Sequence, residues 1–517
     1  MNSKPRLTAR RSNCRLPLVL LLSLTCFLAR SPAQPQALGP NPVIQGDHPD
    51  PTIIRVGTTY YSASTSGDWA PVFPLFQSND LRHWTPAGAI FPTPPHWARG
   101  SFWAPELVVD HNRIFVYYVG RKRRGPLCVA VATADDPTGP FTDHGPIVCQ
   151  HDGSIDPAMV RDENGEPYLI WKEDGNSIHQ PTPIWAQRLT HNLRHLRGRR
   201  KQILVNEPGT WEGGVVEAPF MMRHDSRFYL FYAGNACCGV ECNYAEGVAR
   251  ADHLLGPWTR DPANPIIRPN GNWKCPGHGT AVETPAGENF FIYHAYPANG
   301  TVYLGRESVL DRITWSPGGW PVVDNGLGPH GSAASSPVSI SFTDSFNEST
   351  LDPGWQWPVR LHPSWQLRNG SLRLSATDHA ASFLARSLPG PQYAASVQVL
   401  NNGGIAIVGG MRGQIVLYRD RDHLALLRLT GRTRKELWSA NLPPSAGLWL
   451  RVSSSQPADA QFSYSQDGKT WTPAGPSLSV RELLPWDQGL RVGLLNDGAN
   501  KTTATFSSFN MIGTSIQ

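Results

Sequence analysis

Five short motifs recur along this 517-residue chain, and their spacing limits the fold more than any other feature. They are Asp50-Pro51-Thr52-Ile53-Ile54, Trp103-Ala104-Pro105-Glu106-Leu107, Asp156-Pro157-Ala158-Met159-Val160, Glu217-Ala218-Pro219-Phe220-Met221 and, more loosely, His278-Gly279-Thr280-Ala281-Val282. Each sets a polar or aromatic residue before a small residue or proline, then a short apolar run of strand type. The leading residues Asp50, Trp103, Asp156, Glu217 and His278 are 53, 53, 61 and 61 residues apart. After each lead come a second apolar strand, a third and a fourth, separated by turn residues such as Asp162-Glu163-Asn164-Gly165. Helical periodicity is almost absent. Five four-strand units at this spacing predict an all-β, five-bladed propeller with its five leads converging at one mouth of the axis.

From Gly326 to Pro337 the composition turns to Gly, Ser, Ala and Pro, as in a linker. Beyond it, regularly spaced alternating strands without the long repeat predict an antiparallel β-sandwich of jelly-roll or lectin-like type, with 342–346 paired near 506–509. At the other end, five basic residues precede an apolar run of about 13 residues, too short to span a bilayer. Ser31-Pro32-Ala33 then offers a cleavage site, so this region is expected to be a secretory signal. The expected organisation is therefore a signal at 1–33, the propeller as catalytic domain at 34–325, a linker at 326–338 and the sandwich at 339–517.

The expected leader carries six of the 46 basic residues and no acidic one, leaving 40 basic against 41 acidic. A near-neutral mature chain with no basic run interleaved with aromatics argues against nucleic acid. After cleavage nothing is expected to hold the chain to a membrane. Its 18 Trp and 14 Tyr suit a neutral ligand with flat faces, such as sugar. Six cysteines remain, an even number in a chain expected outside the cell, which suggests disulfides. Cys128 and Cys149 fall in one repeat and are a plausible pair. Cys237, Cys238, Cys242 and Cys275 could form two more bridges whose pairing the spacing leaves open. Zinc is disfavoured because Cys-Cys-x3-Cys fits no usual pattern.

Three leads are carboxylic acids opening apolar strands, where a carboxylate is costly unless paired or used. The chemistry that needs such a set is glycosidic cleavage. One acid of raised pKa protonates the leaving oxygen, while a carboxylate activates water on the opposite face. Acids on different blades should stand well apart, which favours inversion. Glu106, although conspicuous, aligns three positions beyond the lead and is expected to be structural. Asp47, Asp152 and Glu212 are weaker loop candidates.

Asp47-His48-Pro49-Asp50-Pro51, Trp103-Ala104-Pro105-Glu106, Ser154-Ile155-Asp156-Pro157, Val216-Glu217-Ala218-Pro219 and Pro276-Gly277-His278-Gly279 jointly resemble glycoside hydrolase family 43, over about residues 40–323. These are inverting hydrolases of arabinose- and xylose-containing glycans built on five-bladed propellers. The resemblance implies Asp50 as general base, Glu217 as general acid and Asp156 as the residue that positions the acid and tunes its pKa. It implies substrate contacts for Arg306 and His278. No cofactor is required, but a structural calcium ion at the axis is possible, held by His278 through water. Trp103, with Phe102 beside it, is expected to wall the sugar site. The Cys237–Tyr244 segment departs from the family pattern and leaves sugar specificity open. The expected activity is that of a secreted exo-glycosidase releasing α-L-arabinofuranosyl or β-D-xylosyl units from plant polysaccharides. The alternatives are an endo-arabinanase, a galactan-directed hydrolase, or a binding protein without catalysis.

Overall fold

A computed structural model of the chain describes residue 1 and residues 40–515, apart from 299–300, 332–337, 377–381, 411–412, 432, 444, 446, 457 and 498–502. Residues 2–33 of the expected leader and 332–337 of the expected linker lie outside the described residues. No described helix is long and apolar enough to cross a membrane.

Residues 52–323 form five four-stranded antiparallel sheets, each following chain order. Their first strands are Thr52–Val56, Trp103–Asp110, Ser154–Arg161, Val216–His224 and Trp273–Glu283. Each first strand touches the first strand of the next sheet, and the fifth touches the first, so the ring closes as a five-bladed propeller. Closure is helped by the chain before the first blade: Val43 N–H donates to Ser308 O at 2.9 Å, and Asn41 caps the Leu310 peptide.

Apolar strands form because blades stack face to face and cover both sides of their inner strands. Leu127–Ala134 is buried at every position, which explains its nearly continuous apolar run. Between the first two blades Phe73, Phe91, Phe102 and Tyr118 meet edge-to-face or tilted. Each such buried ring contributes about 1.5–3 kcal/mol. Buried tyrosines find partners for their hydroxyls, as Tyr117 does on Leu193 O at 2.8 Å and Tyr118 on Asp143 at 2.6 Å.

In the last blade the third strand starts late: Thr301–Leu304 is a 3-10 turn and the strand is Glu307–Trp315. Gly305 sets this break: it has φ 88°, and a Cβ there would lie 2.2 Å from Asp47 Oδ1.

Beyond residue 338 two antiparallel sheets, of nine and six strands among the described residues, enclose a second core. Val338–Asp344 pairs with Thr503–Ser515, bringing Phe342 opposite Met511 and Asp344 opposite Phe509. Thr433–Asn441 is an outer strand of the six-stranded sheet. Its charged, exposed residues conceal the alternation, as is usual where an edge must avoid further pairing.

The sandwich is sewn onto the propeller. Trp69–Ala70 pairs with Trp357–Pro358, and Gln488 Nε2 donates to Ser66 O at 3.0 Å. At the centre of this seam Arg491 and Asp47 form a 3.2 Å ion pair, with side chains 1% and 0% exposed. Arg491 also donates to Gln356 Oε1 at 2.7 Å and lies over the Trp69 ring. Removing one partner strands the other as a buried charge. Arg491→Met should therefore lower stability by about 3–5 kcal/mol in urea unfolding, and Asp47→Leu with Arg491→Met should recover much of the loss. An unchanged midpoint for the single variant would show that the pair contributes nothing.

Candidate active site

The leads sit on a repeated irregularity. Strand pairing skips two residues between Trp103 and Glu106, between Ile155 and Ala158, between Glu217 and Phe220, and between Gly277 and Thr280. The first skipped residue is left-handed each time: Ala104 (φ 46°), Asp156 (φ 53°), Ala218 (φ 55°) and His278 (φ 54°). Asp50 (φ 52°) takes the same conformation just ahead of its strand. A non-glycine residue held there costs about 1–3 kcal/mol, and such positions cluster at functional sites. This corrects the sequence alignment. Asp50, Asp156 and His278 are equivalent, matching Ala104 and Ala218, while Trp103 and Glu217 stand one position earlier, level with Ile155.

Both positions nevertheless face one cavity of about 270 Å3, lined by Asp50, Asp156, Glu217, His278, Trp103 and Arg306 among others. Phe102 does not line it. The ring is 0% exposed and packs edge-to-face on Phe73, so its expected role as a sugar wall is replaced by a core role. Asp47, as above, serves the seam. Glu212 is fully buried between Arg260 and Tyr232, and Glu106 accepts from Thr52 Oγ1 at 3.0 Å; neither they nor Asp152 line the cavity.

Arg306 is not paired with its neighbour Glu307 but donates to Asp50 Oδ1 at 2.9 Å, and His278 Nδ1 and His294 Nδ1 lie 3.4 and 3.1 Å from the same oxygen. Burial alone would raise the Asp50 pKa, but Arg306 and these histidines outweigh it and hold the carboxyl well below its ordinary value. Asp50 is therefore a carboxylate throughout the working range. Burial and Arg306 lower His294 to about 4, so it stays neutral.

Asp156 and Glu217 behave oppositely. Burial, with the Glu217 charge adding to it, raises Asp156 to about 6. Glu217 is largely covered too, yet Lys172 Nζ donates to its Oε2 at 2.7 Å and Tyr244 OH to its Oε1 at 2.9 Å, and these lower its pKa. Of the two, Asp156 therefore keeps its proton to higher pH, whereas the sequence reading gave the raised pKa to Glu217. Asp156 Oδ2 also accepts from Ala218 N–H at 2.9 Å and so fixes the peptide that follows Glu217.

Sequence reasoning missed Lys172, Tyr244, His294, Trp486 and Asp487. Lys172 and His294 had a usable signal, since each is a cationic side chain type in an otherwise apolar strand. Trp486 and Asp487 had none. They reach the cavity from the sandwich, where Trp486 meets Trp103 edge-on at 6.0 Å between centroids.

Calcium takes six to eight oxygen ligands. Among the described residues no three His, Cys, Asp or Glu side chains are grouped to hold a metal. The side chains near His278 are already engaged: Asp50 by Arg306, and Glu246 by His278 N–H at 2.9 Å. These side chains supply no direct calcium cage, so an ion beside His278 would have to be held through water.

A family model described as Glycosyl hydrolases family 43 matches residues 39–321, and one described as Beta xylosidase C-terminal Concanavalin A-like domain matches 343–511. A xylosidase/arabinosidase of Butyrivibrio fibrisolvens is 30% identical over 308 residues, 56% of this chain. The chain spans only 57% of that relative's length. A non-reducing end alpha-L-arabinofuranosidase of Bacteroides ovatus is 26% identical over 451 residues, covering 81% of this chain and 80% of its own. Among solved structures, a GH43 protein from Bacillus licheniformis superposes with a TM-score of 0.76 at 25% identity, over 92% of this chain and 99% of that one.

Lys172 is 0% exposed and carries the balance between the two acids. Lys172→Met removes the cation that lowers Glu217, so the Glu217 pKa should rise. Carboxyl 13C NMR titration measures this directly, and an unmoved Glu217 would show that Lys172 does not govern the proton.

Proposed function

The chain belongs to glycosyl hydrolases family 43, and from that premise we propose that it is a secreted, inverting exo-glycosidase releasing terminal α-L-arabinofuranosyl or β-D-xylosyl units from plant cell-wall glycans. The observation that carries this reading is the convergence, in one cavity, of three carboxyl groups in different settings: Asp50 held ionised by Arg306, Glu217 bonded to Lys172 and Tyr244, and Asp156 raised to about 6. The names of the relatives, xylosidase and arabinofuranosidase, support the choice of pentoses. Export rests on the amino-terminal sequence alone.

In this reading Asp50 takes a proton from the attacking water as its oxygen bonds to the anomeric carbon. Glu217 gives its proton to the glycosidic oxygen as that bond breaks. The sugar must draw Lys172 away from Glu217, after which the proton held on Asp156 passes to Glu217. Asp156 acts through Glu217, by sharing that proton and by gripping the Ala218 amide. Arg306, fixed on Asp50 and on Asp487 O, keeps the base ionised and faces the sugar hydroxyls. Trp103 offers its face to the ring. A calcium ion held through water beside His278 would be structural, and no cofactor is required. Exo action is supported by cavity size, at the lower limit of ligand pockets (~300 Å3), and by Trp486 closing one side.

Proton NMR of fresh digests of arabinan, arabinoxylan and xylo-oligosaccharides should show one pentose released with inverted configuration. Retention would overturn the roles of Asp50 and Glu217, and no release would leave sugar binding without catalysis. The pH profile follows from the cavity charges. The acid form is lost as pH rises through about 6, so kcat/KM should fall above that value, while Asp50 keeps it level toward low pH. A kcat/KM that instead rose between pH 6 and 8 would remove the shared proton from the mechanism.

A further inference from the structure

Cys237 and Cys238 are joined to each other, and both line the catalytic cavity. A cross-link stabilises mainly by closing a loop in the unfolded chain, and the effect grows with loop length. The Cys128–Cys149 and Cys242–Cys275 bridges span 21 and 33 residues, whereas Cys237–Cys238 spans 1. This bridge constrains almost nothing in the unfolded chain, and chain entropy does not account for it.

Its surroundings do. Cys242–Cys275 ties the loop to the strand that carries His278, with Cys275 only 2% exposed. Asn243 N–H donates to Ala236 O at 3.0 Å, and Gly239 N–H to the Tyr296 hydroxyl at 3.3 Å, closing the base of the loop. A Cβ on Gly239 would lie 3.5 Å from Trp486 O, so the loop abuts the sandwich segment that closes the cavity. Cys237 packs on the cluster of Ala218, Tyr244 and Tyr296. Ala218 follows Glu217, and Tyr244 hydrogen-bonds it, so the sulfurs belong to the wall beside the proposed acid.

Most other residues lining the cavity are polar or charged, and the apolar ones are Trp103, Ile155 and Trp486. A sugar has a hydroxyl rim and a C–H face. The first matches the carboxylates, Lys172 and Arg306; the second needs a surface without hydrogen-bonding demands. A disulfide has no donor, accepts weakly, is polarisable, and is held rigid by its own ring, so it loses no rotamer freedom on contact.

We propose that the Cys237–Cys238 disulfide is a substrate-contacting specificity element that takes the C–H face of the bound saccharide on the Glu217 side. This rests on the glycosidase reading. It adds the surface that discriminates the sugar, in the very segment that departs from the family pattern.

The test compares the full chain with C237S/C238S and C237A/C238A on the pentoside that the unaltered chain hydrolyses. An interaction made equally in ground and transition states moves KM and leaves kcat. C237S/C238S should raise KM about tenfold with kcat within about twofold, and C237A/C238A, which restores an apolar wall, should lose less. Thermal midpoints of both should stay near the unaltered value, unlike C242S/C275S, which opens the longer loop. An unchanged KM overturns the proposal while the glycosidase reading stands, and a fall in thermal midpoint matching C242S/C275S makes the bridge structural and also overturns it. Should the unaltered chain release no pentose, the glycosidase reading fails separately. Calorimetry with arabino- and xylo-oligosaccharides then decides: weaker binding to C237S/C238S supports the contact, and equal or absent binding by both chains overturns it.

Discussion

The left-handed residue at the head of each inner strand, accompanied in four of the five by a two-residue skip in pairing, is the constraint on which fold and site both depend. A regular antiparallel pair would send successive side chains to opposite faces of the blade. The left-handed residue at Asp50, Ala104, Asp156, Ala218 and His278 breaks that alternation at one level of the ring. Two adjacent register positions then serve one cavity, which is how Glu217 and Asp156, not equivalent in the repeat, come to line it together. The conformational cost is repeated five times and is borne by the apolar packing between blades, where nearly every aromatic ring of the second strands is buried.

Charge in the cavity is set by neighbours more than by burial. Asp50 and Asp156 are buried and Glu217 is largely covered, and loss of solvent alone would push all three pKa values up. They separate because Arg306 sits on the first and Lys172 on the third, while no cation among the described residues is bonded to the second. The carboxylate that stays ionised and the order in which the other two lose their protons are thus assigned by two buried cations, Lys172 on the second strand of the third blade and Arg306 just ahead of the strand Glu307–Trp315 of the fifth.

The sandwich is part of the site. The buried Asp47–Arg491 pair draws residues 485–491 against the propeller, and the same segment places Trp486 and Asp487 at the cavity. Asp47 lies three residues before Asp50, so the ion pair that fastens the seam also anchors the approach to the proposed base. Stability of the seam and shape of the pocket are therefore two consequences of one contact.

The sequence by itself determined the all-β propeller and sandwich, the ring residues Asp50, Asp156, Glu217, His278 and Trp103, and the Cys128–Cys149 bridge, because strand periodicity, turn residues and motif spacing are local or repeat at a fixed interval. It misplaced Phe102, since a residue next to a ring position looks alike whether it faces cavity or core, and only packing on Phe73 decides. It could not show which acid holds the proton, because Lys172 and Tyr244 reach Glu217 across separations of 45 and 27 residues. Nor could it bring Trp486 to Trp103 or place the adjacent cysteines on the cavity wall. Those contacts are decided by how blades and sandwich close on one another, and nothing in the local pattern of either partner specifies the other.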